Sequence, residues 1–229
     1  MAGFGDPAPT EVEPASAVPV RKPILARGAG GAFAGRVNIG FLGGSFDPVH
    51  HGHLVAARDA REACALDRVV FVPAAQAPLK PAAVRASAAD RLAMLRAAVA
   101  GEPGFAVSDH ELRRGGVSYT VDTARHFRAE FPGARLFWII GADQLARLPR
   151  WKDLPELARL VEFIVVTRPG HAWRRPAGLP RGVRLHRCEG HTAGVSSTEL
   201  RARARAGLPL DWFAPEKVVA LIRRRRLYR

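Results

Sequence analysis

From residue 36 onward, short apolar runs alternate with segments whose apolar residues recur at helical spacing. The runs predict strands over 37–42, 68–73, 105–108, 136–140, 163–167 and 183–186. Most are continuously apolar rather than alternating, which suits strands covered on both faces. Helices are predicted over 52–65, 88–100, 120–131, 144–148, 154–160, 197–206 and 215–225. Ser87 with Asp90, and Ser196 with Glu199, read as helix-start capping pairs. Alternation of this kind implies an α/β domain with a doubly wound parallel sheet and helices on both faces, Rossmann-like in class. Residues 1–35, rich in Pro, Ala and Gly, hold no sustained period and are expected to form a disordered extension. The remainder, 36–229, is expected to be one catalytic domain.

Chemistry concentrates where the first strand ends. The string Gly43-Gly44-Ser45-Phe46-Asp47-Pro48-Val49-His50-His51-Gly52-His53 reads as strand, glycine turn and helix start. Glycines let backbone approach a ligand, and a helix N-terminus presents free N–H groups to an anion. His50 and His53, three apart, share one face of a first helical turn. Two imidazoles beside free amides suit a polyphosphate. No Gly-Lys-Ser/Thr follows, so this is not the Walker phosphate loop, and the glycine spacing is wrong for the dinucleotide fingerprint.

Composition narrows the partners. Hydrophobic content of 48% and charged content of 24% are ordinary for a globular protein. No apolar run approaches the roughly 20 residues that span a bilayer, and no signal pattern opens the chain, so a cytoplasmic, non-membrane protein is expected. Cys64 and Cys188 form no C-x-x-C and read as reduced structural thiols. The net charge of +14 raises nucleic acid as a partner. The arginines are scattered rather than striped with aromatics, so small anionic substrates are the better reading. A homo-oligomer is compatible with it.

Five further segments carry candidate chemistry. The loop Val72 to Lys80 is kept out of a helix by Pro73 and Pro78. Gly115-Gly116-Val117-Ser118-Tyr119-Thr120 opens a helix and offers amides. Gly141-Ala142-Asp143 follows a strand, and Trp151 lies just beyond it. Arg168 ends another strand. In Val195-Ser196-Ser197-Thr198-Glu199-Leu200-Arg201, Arg201 stands one turn inside a capped helix start and could fork onto phosphate oxygens. Read alone, Lys80 is a solvated loop lysine, Trp151 a partly buried structural residue, and Arg91 either substrate-facing or a helix-surface charge.

The 43–54 string resembles the H-x-G-H signature of the nucleotidyltransferase superfamily, in the longer form found in bacterial nicotinate-nucleotide adenylyltransferases. Val195 to Arg201 resembles that superfamily's second signature. The likeness runs from about Val37 to Tyr228. It implies adenylyl transfer from ATP to nicotinate mononucleotide, in NAD biosynthesis, giving nicotinate adenine dinucleotide and pyrophosphate. It implies that His50, His53, Lys80 and Arg201 act on the phosphates. Gly43, Gly44, Ser45, Phe46, Gly141, Asp143, Arg168, Ser197 and Thr198 would bind ATP. Thr120 and Trp151 would hold the nicotinate nucleotide, with backbone amides near Trp151 reading its carboxylate; the family uses the Ser118-Tyr119-Thr120 segment there, but Ser118 itself is read as a plain helix cap. Mg²⁺ would ride on the ATP phosphates, with no dedicated protein metal site. The family commonly has histidine before the loop lysine, where this chain has Leu79. The alternatives are the same chemistry on nicotinamide mononucleotide or phosphopantetheine, and, more distantly, a basic nucleic-acid-binding protein.

Overall fold

In the computed structural model of the chain, the residues described are 37–78, 84–167, 173–191 and 193–229. The expected extension, 1–35, lies outside them. Six strands, β1 (Asn38–Gly44), β2 (Arg68–Pro73), β3 (Phe105–Val107), β4 (Arg135–Gly141), β5 (Glu162–Thr167) and β6 (Leu185–Glu189), form one sheet. Its order is β3-β2-β1-β4-β5-β6, and every pairing is parallel. The order reverses between β1 and β4. Ligands of open α/β sheets sit at such a switch point, outside the carboxyl ends of the strands. Gly44 and Gly141 end those two strands.

The helices are α1 (His51–Ala63), α2 (Ala88–Val99), α3 (His110–Arg114), α4 (Thr120–Glu130), α5 (Ala142–Leu145), α6 (Leu154–Leu160), α7 (Ser197–Arg205) and α8 (Glu216–Arg224). On one face of the sheet, Ala57 and Ala60 of α1, Met94 and Leu95 of α2, and Val218 and Ile222 of α8 join Phe71, Phe137, Ile139 and Ile164 in one buried cluster. On the other face the α4 ring of Phe127 stacks on Phe41 at 4.2 Å, and Phe41 on Trp138 at 6.1 Å. Burial on both sides is why β2 and β5 read as unbroken apolar runs.

Both capping pairs form. Ser87 accepts from the Asp90 amide at 3.0 Å and Ser196 from the Glu199 amide at 3.1 Å. Several element bounds shift by a residue or more, and three elements depart further from expectation. The edge strand β6 spans Leu185–Glu189 rather than 183–186. The segment expected as one helix over 144–148 is instead α5 followed by a 3₁₀ turn at Leu148–Arg150, because Pro149 lacks the N–H that continued helix needs. The short α3 has too few residues to display a period. Among the described residues no helix is long and apolar enough to cross a membrane.

Candidate active site

The turn from β1 into α1 is buried rather than looped out into solvent. Phe46 takes a left-handed φ of 48°, and its ring enters the core at 1% exposure. It meets the His53 ring edge-on at 4.9 Å and Phe71 at 5.9 Å. Phe46, expected at the nucleotide, therefore cannot offer its side chain to a ligand. It supports His53 from beneath. Gly43 and Gly44 are the last residues of β1, and Ser45 follows. Gly43 has a packing reason for lacking a side chain: a Cβ there would sit 2.8 Å from Trp138 Cζ2.

His50 is the N-cap of α1 and is 7% exposed. Its ring lies 3.8 Å from that of His53, centroid to centroid. It folds over Gly52, where a Cβ would stand 3.0 Å from both Cε1 and Nδ1. A side chain at Gly52 would crowd the His50 ring, which would have to shift for the pair to keep this packing. The His50 amide donates to His53 Nδ1 at 3.3 Å. That bond assigns the neutral His53 ring its proton on Nε2. Burial, aided by the neighbouring His51, pushes the His50 pKa down to about 4, so His50 is a neutral imidazole at pH 7. Among the described residues its Nδ1 is buried without a hydrogen-bond partner.

Residues far along the chain fix this turn. The Asp47 carboxylate accepts the amides of Arg85 at 2.7 Å and Ala86 at 3.0 Å. It also accepts the Tyr228 hydroxyl at 2.8 Å. The start of α7 docks on the same turn: Ser197 Oγ donates to the Pro48 carbonyl at 2.9 Å, and Arg201 Nη1 to the Asp47 carbonyl at 2.7 Å. Arg201 Nη2 also donates to Thr198 Oγ1 at 3.1 Å. The two signatures, about 150 residues apart, are thus one unit. Arg91, 1% exposed, is neither surface charge nor substrate-facing. Its Nη1 donates to the carbonyls of Ser45 and Ala74, both at 2.8 Å, strapping the turn after β1 to the turn after β2.

A second group of candidates surrounds the start of α4. Ser118, expected to cap that helix, instead accepts the Ala75 amide at 3.0 Å, and Tyr119 is the N-cap. Thr120 is the first residue of α4. Glu111 is buried nearby and accepts the Thr123 hydroxyl at 2.6 Å. Burial pushes its pKa up. Lys152 Nζ sits 4.4 Å from the centre of the Tyr119 ring, which brings the Trp151 segment beside Thr120. Trp151 is half-buried, edge-on to Phe163 at 6.2 Å. Its own amide donates to the Leu148 carbonyl at 3.0 Å, so that amide is not available to a substrate carboxylate. Gly141 closes β4 across the switch point from Gly44, and Asp143 is exposed one residue into α5. Lys80 and Arg168 lie outside the described residues.

Asp47, Glu111 and Tyr228 were not singled out by sequence as parts of this site, and Arg91 was weighed as substrate-facing or surface but not as a strap between turns. Asp47 had a faint signal, as an acid before proline in a turn. Tyr228 had none, because its partner is 181 residues away.

The model of the cytidylyltransferase-like family matches residues 41–203. A protein of Opitutus terrae, named "probable nicotinate-nucleotide adenylyltransferase", is 58% identical over 193 residues, 84% of this chain and 98% of its own length. One of Streptomyces coelicolor with the same name is 46% identical over 188 residues, covering 82% and 99%. Among solved structures, the Plasmodium falciparum nicotinic acid mononucleotide adenylyltransferase in complex with NaAD superposes with a TM-score of 0.69. That match covers 84% of this chain and 98% of the other at 16% identity, a likeness of fold.

Proposed function

We infer, from the premise that this chain belongs to the cytidylyltransferase-like family and within it to the nicotinate-nucleotide adenylyltransferases, that it transfers the adenylyl group of ATP to nicotinate mononucleotide in NAD biosynthesis. The 5′-phosphate oxygen of nicotinate mononucleotide attacks the α-phosphorus of ATP. The bond from that phosphorus to the β-bridging oxygen breaks, and pyrophosphate leaves with the electron pair. The attacking group is already an anion, so no general base is required. The chain's work is to position two phosphates in line and to offset the charge that builds on the leaving group.

The observation that carries this reading is the docking of the second signature onto the first through Ser197 and Arg201, at the switch point of the sheet. His50 and His53, at the start of α1, contact the phosphates beside the bond that breaks. Thr198 and Arg201 face the outer phosphates from α7, and Lys80 is assigned to the same phosphates. Gly141 and Asp143 receive the nucleoside across the crevice, with Arg168 on its adenine side. Thr120 and Trp151 take the nicotinate end. Among the described residues no three His, Cys, Asp or Glu side chains gather as a metal site. Mg²⁺ bound with ATP would ride on the phosphates, where it would offset charge on the departing pyrophosphate. The reaction as written uses small molecules alone, and a cytoplasmic enzyme acting without nucleic acid or membrane is the reading proposed.

The test is pyrophosphate release with ATP and Mg²⁺, comparing nicotinate with nicotinamide mononucleotide. Release with a strong preference for the acid form is expected. Preference for the amide would keep the chemistry and overturn the acceptor. Release with neither would overturn the reading.

A further inference from the structure

The sheet has a second edge with unusual chemistry, at the amino ends of β4, β5 and β6. A cavity of about 440 Å³ opens there, away from the carboxyl ends that carry His50 and His53. Four arginines line it: Arg128 from α4, Arg135 at the start of β4, Arg159 from α6, and Arg184 just before β6. A second cavity of about 450 Å³ adjoins it and shares Arg159 and Arg184.

Only one carboxylate in the lining faces these guanidinium groups. Glu162 is buried and is shared by Arg135 at 3.2 Å, Arg184 at 3.3 Å and the neighbouring His186 at 2.7 Å. Burial pushes its pKa up, but the His186 hydrogen bond and the two arginines outweigh that and hold it below the usual range. Arg128 forms the floor, donating to the carbonyls of Ala134 at 2.8 Å and Leu160 at 2.7 Å. The Arg159 side chain is exposed and, among the described residues, makes no hydrogen bond or close ion pair, though its charge acts on Glu156 one turn earlier in α6. Positive charge is in clear excess at a concave surface, where low-dielectric walls concentrate the field.

We propose that this cavity binds a compact polyphosphate-type anion, at a site separate from the catalytic edge. The size falls in the range of small-ligand pockets. The arginines supply the charge of a lining otherwise made of Glu162 and the aliphatic Ala134, Leu136, Leu160 and Val161, with no aromatic ring among them, which suits phosphate oxygens and not a flat ring. Guanidinium forks match such oxygens in paired hydrogen bonds. Arg159 and the largely exposed Arg184 are the groups best able to turn onto an entering anion. Arg135 stays anchored between Glu162 and the face of Phe137.

The probe is inorganic tripolyphosphate, titrated calorimetrically into three proteins: the wild type, the Arg159→Glu/Arg184→Glu variant, and Arg201→Ala. This binding test does not depend on the assigned activity. Two classes of site are expected in the wild type. The double variant should lose one of them, or weaken it at least about tenfold, while pyrophosphate release keeps its kcat and KM. Arg201→Ala should lose the other class. A double variant whose isotherm superimposes on that of the wild type would overturn the proposal. Should that variant fail to fold, Arg159→Ala is read alone, and unchanged tripolyphosphate affinity there is the overturning result. Binding of a single-stranded oligonucleotide through the same arginines, without tripolyphosphate binding, would overturn the small-anion assignment.

Discussion

An imidazole packed over a glycine and against a second imidazole is a poor place for a positive charge. His50 is held there by the geometry of the α1 start, and its pKa falls to about 4 from an ordinary 6.5. Between those values the unfolded chain takes up a proton that the folded chain refuses. The stability that neutral His50 contributes is therefore complete above pH 6.5 and is lost as pH falls toward 4. His50→Asn should flatten the decline of the unfolding midpoint over that window, measured against the wild type. Equal slopes in the two proteins would show that His50 is not buried neutral. His53 is a donor whose tautomer the His50 amide assigns. His53→Ala should lose at least ~2 kcal/mol of transition-state stabilisation, as other preorganised donors do. The readout is kcat in single turnover, and near-normal turnover in a folded variant would remove His53 from the mechanism.

At the scale of elements, the site is a joint between turns. The turn after β1 and the turn after β2 are held at a fixed distance by Arg91, a buried cation of α2 whose Nη1 reaches both carbonyls. Arg91→Met keeps the volume but removes both bonds. It should cost about 3 kcal/mol, since hydrogen bonds to charged groups contribute about 1.5–3 kcal/mol each. Denaturant unfolding checks this, and kcat should fall along with stability because the joint carries the His50–His53 turn. A variant as stable as the wild type would show that the strap is dispensable. The sequence placed α2 correctly, with Ser87 as its cap, yet could not say which way Arg91 points. A charge at one position of a weakly amphipathic helix fits either face, and only the packed turns select the inner one.

Across the whole molecule, the chain's penultimate residue meets its first signature. Tyr228 is buried and donates to Asp47, whose other bonds fix the 85–86 segment. Tyr228→Phe should lower stability by about 1 kcal/mol, or roughly 2–4 °C in Tm for a chain of this size. It should also raise the KM for ATP more than it lowers kcat, because the bond orders a phosphate-facing turn. A shift in Tm with unchanged KM would make Tyr228 structural only.

The sequence by itself determined the α/β class, most of the strand and helix spans, and the two signatures. Those depend on local facts: continuous apolar runs for doubly covered strands, capping serines for helix starts, and a string of residue types suited to phosphate. Tertiary structure alone decided which of those residues share a site and what each is engaged with. It sent the Phe46 ring inward, turned Ser118 toward Ala75, and put the Arg201 guanidinium on the Asp47 carbonyl. It also gathered four arginines from separate segments around one cavity. The physical reason is distance along the chain. A contact between residues 150 positions apart leaves no mark in the periodicity of either segment, because strand order and helix docking set it.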